Sequence, residues 1–213
     1  MITRIIILGA LLALSVSYFL SGTNPPADHP YIQGRNKTVL VISNSEHGLA
    51  NVHLATASAL LENYPDIDIH YASFSSIRKR LEKISSFARA RTPVARDIVF
   101  HEIEGVTFAE AIMEEGRNFI LPPASAGMSS FADDFQLWIS PWSAGDHMNI
   151  FHELSDIIDD VDPAVVVLDT WLRPAIDATR IKNRQHAFVT PNIVMDNFLG
   201  LQPLATRFWK FPA

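Results

Sequence analysis

Three features of the amino-acid sequence predict an α/β protein built on a doubly wound, Rossmann-like parallel sheet. Short apolar runs rich in β-branched residues recur along the chain, helical apolar stripes lie between them, and each run closes in a polar or Pro-containing turn. Runs that stay apolar on consecutive residues suit strands covered on both faces, as parallel strands are. Strands that alternate with helices need crossover connections, and these place the helices on the two faces of the sheet.

The first strand is Val39-Leu40-Val41-Ile42. Leu49, Val52, Thr56 and Leu60 recur at helical spacing after it. The next strand is Ile67 to Ala72, with apolar residues at Ile67, Ile69 and Tyr71, and its helix is Ile77 to Phe87. Ile98 to Ile103 makes a third strand. Gly105 to Asp146 is irregular, with Pro122-Pro123, Gly127, Pro141 and Gly145 among apolar fragments, and it reads as short helices and loops over the sheet. A clear helical stripe, Ile150, Leu154, Ile157, Ile158 and Val161, stops at Asp162-Pro163. Ala164 to Asp169 is the strongest buried-strand signal in the chain. Pro174 to Ile181 forms a helix with proline in its first turn, and His186 to Thr190 is a fifth strand closing at Pro191-Asn192.

Upstream of the sheet, Met1 to Arg4 is a short positive start and Ile5 to Leu20 is almost wholly apolar. A run of 16 lies between a signal-peptide core of about 7–15 residues and a bilayer span of about 20. Residues 1–22 are therefore expected to be a hydrophobic helix acting as signal peptide or membrane anchor. That implies the secretory pathway, the endoplasmic reticulum or another membrane, with membrane association through this segment. Residues 23–37, with Thr23-Asn24-Pro25-Pro26, read as a linker, and 38–213 as one domain. Asn36-Lys37-Thr38 is a glycosylation sequon, usable only in the lumen.

The length of 213 residues with 48% hydrophobic content suits one domain with a sizeable core. A net charge of -6 gives no reason to expect a nucleic-acid partner. With no cysteine, thiolate nucleophiles and cysteine-ligated zinc are excluded. The sequence has no Gly-x-Gly-x-x-Gly, no P-loop and no Gly-x-Ser-x-Gly. His147 and His152 are five apart, which does not place two imidazoles on one helix face, so no metal site is expected. Asp133-Asp134 and Asp159-Asp160 read as solvated helix faces. The basic cluster Arg78, Lys79, Arg80, Lys83, Arg89, Arg91 and Arg96 reads the same way.

Ligands of open α/β sheets gather beyond the carboxyl ends of the strands. That rule selects Asn44 to Gly48, Asp169-Thr170-Trp171 and Thr190-Pro191-Asn192. His47 lies in the turn after the first strand and Asp169 ends the fourth. A hydrogen bond between them is geometrically open, and it would make the free imidazole nitrogen a better general base. The plainer reading keeps His47 as a surface residue and Asp169 as a cap for the next helix.

The segment from Val39 to Ala55, including Ser43-Asn44-Ser45-Glu46-His47-Gly48, resembles the start of the UDP-sugar-dependent glycosyltransferases of the GT-B fold, fungal members in particular. Val165 to Asp169, Pro174 to Ala178 and Phe188-Val189-Thr190-Pro191-Asn192 are similar to the fourth and fifth strand region of the same N-terminal half. The resemblance implies that His47 deprotonates an acceptor hydroxyl while Asp169 orients it. The oxygen then displaces UDP from the anomeric carbon with inversion and without a metal. It further implies a donor-sugar contact at Thr190 and a lipophilic acceptor pocket at Phe131, Phe135, Trp138 and Trp142. His53, six residues past His47, is expected to pack against the sheet. The family's second, nucleotide-sugar half has no counterpart after Asp169, so the chain is expected to be the acceptor half, incomplete alone, with UDP-sugar bound only when the other half is supplied. The alternative from another class is a non-enzymatic protein of the same fold that binds a lipophilic ligand or docks a subunit.

Overall fold

The computed structural model describes residues 30–116, 126, 129–130, 133–134, 137 and 139–191. The chain divides into two units, Met1–Tyr31 and Ile32–Ala213. Only Pro30 and Tyr31 of the first are described, and the fold below belongs to the second. The apolar run 5–20 and its expected helix lie outside the described residues, as do Phe131, Phe135, Trp138 and Asn192.

In chain order the elements are β1 (Arg35–Ile42), α1 (His47–Asn63), β2 (Asp68–Ser73), a 3-10 turn (Ser75–Ile77), α2 (Arg78–Arg91), β3 (Val99–Glu102), α3 (Phe108–Glu114), α4 (Ala144–Val161), β4 (Pro163–Asp169), α5 (Arg173–Ile181) and β5 (His186–Val189). The sheet order is β3-β2-β1-β4-β5, and every pairing is parallel. From β1 the chain steps outward through β2 to β3, then crosses to the other side of β1 for β4 and β5. The order reverses between β1 and β4, whose carboxyl ends are where such sheets place ligands.

Residue alternation explains the two layers. Leu40 and Ile42 point to one face with Ala72, Val166 and Leu168, and are covered by Phe108 and Ile112 of α3, Ile150, Leu154 and Ile158 of α4, and Ala175 of α5. Val41, Ile69, Tyr71 and Val167 point to the other, under Ala50, Leu54, Ala57 and Leu61 of α1 and Leu81 of α2. The apolar stripe of α1 differs from the expected one. Leu49, Val52, Thr56 and Leu60 flank the contact, and the buried line runs one residue later through Ala50, His53, Leu54, Ala57 and Leu61. Two alanines on that line let the helix approach the sheet closely. His53 is fully buried there, with Nδ1 3.0 Å from the Leu49 carbonyl, as expected of a packed histidine.

β1 begins at Arg35, ahead of the apolar run at Val39. Its polar start is held by Gly34 N donating to Pro163 O (3.0 Å) and Arg35 N donating to Asp162 O (2.6 Å). α4 begins at Ser143, whose hydroxyl accepts from Asp146 N, and ends at Asp162 in the left-handed region (φ 46°) before Pro163. Asp162 is kept in that conformation by Arg184, whose Nη1 donates to Oδ1 at 2.6 Å.

The basic cluster is largely neutralised at the surface. Arg78 pairs with Glu102, Arg89 with Asp97, Arg91 with Glu62 and Arg96 with Asp68. The expectation of a secretory or membrane location needs correction: among the described residues no helix is long and apolar enough to cross a membrane.

Candidate functional site

The carboxyl ends of β1 and β4 form a buried polar junction. Leu168 of β4 lies opposite Ile42 of β1 in the parallel ladder, so the chain leaves both strands at the same level. Two residues beyond Ile42, Asn44 is fully buried, as is Asp169. Asn44 donates to Asp169 Oδ2 twice, from its backbone N and from Nδ2, each at 3.1 Å. The other carboxylate oxygen, Oδ1, accepts from Trp171 N at 2.9 Å. Three N–H groups thus surround one buried carboxylate, which is how a buried anion is tolerated.

The neighbouring strand end is tied in by hydroxyls. Ser43 Oγ and the Tyr71 hydroxyl are 2.7 Å apart, and Ser73 Oγ donates to the Ser43 carbonyl at 2.8 Å. Burial pushes the Tyr71 phenol well above its ordinary range, so it stays protonated and available as a donor.

Glu46 is the last residue before α1. Its carbonyl accepts from Leu49 N (3.0 Å) and Ala50 N (2.8 Å), which starts the helix. Its carboxylate turns the other way, with Oε1 accepting from Ala109 N at 2.9 Å, at the start of α3. α3 is capped independently by Thr107 and Glu110, which form a reciprocal capping box. Burial raises the Glu46 pKa, the Ala109 hydrogen bond opposes this, and the charge of Asp169 adds to the rise. The two carboxylates therefore act on each other at this junction.

His47 follows as the first residue of α1, exposed to solvent. The fold brings His47 and Asp169 to adjacent strand ends, as a doubly wound sheet requires. It does not join them: among the described residues His47 makes no hydrogen bond, and the partners of Asp169 are Asn44 and Trp171. Thr190 is half-buried just past β5. Trp142, expected in an acceptor pocket, is 6% exposed within the core, edge-to-face with Phe108, and donates Nε1–H to the Val106 carbonyl at 2.8 Å. Its remaining surface borders a cavity of about 400 Å³ shared with Leu137 and the carboxylates Glu115, Asp133 and Asp134, a lining more acidic than lipophilic. Among the described residues no group of three or more His, Asp or Glu is arranged to hold a metal ion.

Sequence reasoning selects the two stretches after β1 and β4 but not the parts that Asn44 and Glu46 play in them. The available signal is that both lie in the short turn between a buried strand and the next helix, where a polar side chain must find a partner or remain unmet.

Comparison with known proteins adds a relative. No family model matches the chain. A glycosyltransferase, sdnJ, from Sordaria araneosa is 26% identical over 191 residues, which is 85% of this chain and 37% of that protein. The chain thus spans little more than a third of the length of the curated relative it matches. The crystal structure of the glycotransferase of kitacinnamycin is similar with a TM-score of 0.45 and 14% identity, over 77% of this chain and 34% of the other. The sequence likeness runs through most of the chain, and the parallel sheet is of the expected kind. Together they make the chain similar to a glycosyltransferase in sequence and Rossmann-like in its sheet.

Proposed function

We propose that the chain is the acceptor-binding part of an enzyme that transfers a sugar from a UDP-sugar to an acceptor hydroxyl, with inversion at the anomeric carbon. The observation that carries the reading is the likeness to a fungal glycosyltransferase through the segments holding both strand ends of the junction. In this reading the exposed His47 takes the acceptor proton. The acceptor oxygen forms the new bond to the anomeric carbon as the bond from that carbon to the UDP oxygen breaks. UDP leaves with the electron pair and the proton rests on the imidazole. No metal takes part in this scheme. Thr190 is the position for a donor-sugar contact, the donor itself being held largely by sequence comparable to the remainder of the longer relative.

Asp169 acts differently from the simplest version of this scheme. Its carboxylate holds Asn44 and the turn at Trp171, so it shapes the loop that presents His47. General-base catalysis of this kind is worth about 10²–10⁴-fold. The test is release of UDP from UDP-glucose, UDP-galactose and UDP-glucuronate with hydroxyl acceptors. It is read on the chain alone and on the chain co-expressed with the remaining part of the Sordaria araneosa relative. His47→Ala is expected to lower turnover by about 100-fold or more. Turnover unchanged by this substitution, or none in either format, refutes the reading. The engagement of Asp169 away from His47 favours a second reading, a ligand-binding protein of the same fold without chemistry. Acceptor binding with no UDP release in either format would support it.

A further inference from the structure

β3 is the four-residue edge of the sheet and pairs with β2 alone. A short, partly exposed edge belongs to the low-stability end of a fold. Register sets two histidines against each other across this pairing. His70 lies opposite Val99 and His101 opposite Ala72, so both point to the face that carries Leu40 and is covered by α4. Their facing nitrogens, His70 Nδ1 and His101 Nε2, are 2.8 Å apart, far closer than the ring centroids at 5.1 Å, and the rings are inclined by only 23°. The half-buried imidazoles therefore meet tip to tip in one N–H···N hydrogen bond. The charged groups around them are Arg35 of β1, Asp68 of β2 and Asp160 of α4. Arg35 also donates from Nη2 to the Asp160 carbonyl at 2.7 Å, and Asp68 pairs with Arg96. On the opposite face of β3, Arg78 lies over the Phe100 ring and pairs with Glu102, an exposed contact of the weak kind.

Proton counting decides what acid does to such a pair. While both rings are neutral, one facing nitrogen donates and the other accepts. A first added proton goes to the outward nitrogen of the donating ring, and the shared hydrogen bond survives as a charge-assisted one. A second leaves all four nitrogens protonated, so two N–H groups face each other with no acceptor and two cations adjoin. Burial, and for His101 the charge of His70 after it, already opposes that state. We propose that the His70–His101 pair is an acid-operated clasp: once both rings are protonated, β3 parts from β2 while β1, β4 and β5 stay paired. Beyond β3, Glu104 N donates to the Glu153 carboxylate of α4, and Ala109 N of α3 donates to Glu46. Release of β3 therefore loosens the chain leading into α3 and, through Glu46, the turn that carries His47. The clasp is independent of whether the chain transfers a sugar.

The test is hydrogen exchange of the full 213-residue chain, read by mass spectrometry and corrected for the intrinsic effect of pH on exchange. It compares about pH 7.5 with about pH 5, on either side of the ordinary histidine value. Protection of Val99–Glu102 is expected to fall about tenfold more than that of Pro163–Asp169, the scale of one lost hydrogen bond. In the double variant His70→Gln with His101→Gln, two amides can still bond to each other and neither titrates, so the extra loss should vanish. Glu153→Gln should leave the extra loss in place. Equal loss in β3 and β4, an extra loss that survives the double variant, or one abolished by Glu153→Gln would overturn the clasp. Should the double variant not fold, nitrogen NMR spectra of the histidines in the unaltered chain decide. The step that protonates both His70 and His101 must coincide with the loss of β3 protection, and a loss at any other pH overturns the proposal.

Discussion

Replacing Asp169 separates a carboxylate that organises the loops from one that only assists a base. In Asp169→Ala, Asn44 N, Asn44 Nδ2 and Trp171 N lose their acceptor at a site with no solvent exposure. An unmet buried donor costs about 1–3 kcal/mol, and the Asn44 amide can turn to recover part of its share. Two backbone N–H groups cannot turn, and removing a negative charge close to Glu46 returns a little. The expected net loss is about 3–5 kcal/mol, dominated by the two backbone donors. For a domain of this size that corresponds to a fall of roughly 6–20 °C in Tm. Asp169→Asn keeps the shape and one accepting oxygen but turns an NH₂ towards other donors, so it should lose about half as much. The assay is urea unfolding at neutral pH followed by far-UV circular dichroism, with His47→Ala as the control. His47 is exposed and makes no hydrogen bond among the described residues, so the control should move stability by less than about 0.5 kcal/mol. A loss below about 1 kcal/mol in Asp169→Ala, or Asp169→Asn indistinguishable from wild type, refutes the organising role.

Three further outcomes follow from other parts of the fold. A Cβ added at Gly34 would fall on the Asp162 backbone carbonyl, which also receives Arg35 N, so Gly34→Ala should cost about 2–4 kcal/mol in urea unfolding by forcing the start of β1 off β4. Trp142→Phe leaves the Val106 carbonyl without its donor and shrinks a core side chain, and should lower stability by about 1–2 kcal/mol, read from the thermal midpoint. His70 and His101, on neighbouring strands, face each other with Nδ1 and Nε2 2.8 Å apart. Burial holds both imidazoles below their ordinary value. For His70 the charge of Asp68 opposes this and Arg35 adds to it; for His101 the charge of His70 adds to it and Asp160 opposes it. The unfolded chain therefore binds more protons, and stability should fall as the pH drops from above ~6.5 through the lowered folded values. Urea midpoints measured across that range should show this slope, and His101→Gln should flatten it.

How much of this molecule is legible in its sequence depends on how local the responsible interaction is. The central strands β1 and β4 can be read because a parallel strand buried on both faces must be apolar at successive positions, and Val39 to Ile42 and Ala164 to Asp169 are little else. The polar start of β1 cannot, since Arg35 joins the sheet through Asp162 and Pro163 at the start of β4, a contact across more than a hundred residues of sequence, and Thr38 through Asp68 of β2. The stop of α4 at Asp162-Pro163 is local and legible; its start has a local sign too, in Ser143 with Asp146 three residues on, ahead of the first apolar position of the stripe.

The site divides in the same way. Strand order brings His47 and Asp169 to one edge, and that much follows from the alternation of elements. What the Asp169 carboxylate then bonds to is decided within a few ångströms by side chains, and Asn44 reaches it with two N–H groups while His47 stands outside. A histidine and an aspartate at neighbouring strand ends are therefore a sign of where chemistry is placed and a weaker sign of which atoms share the proton. The same distinction applies to Glu46. From sequence it is only the residue before His47, yet in the fold its carbonyl starts α1 while its carboxylate accepts from Ala109 N at the start of α3. A carboxylate so placed connects the shape of the loop carrying His47 to the position of α3. Substitutions at Ala109 that disturb that backbone N–H should therefore reach the site without touching it.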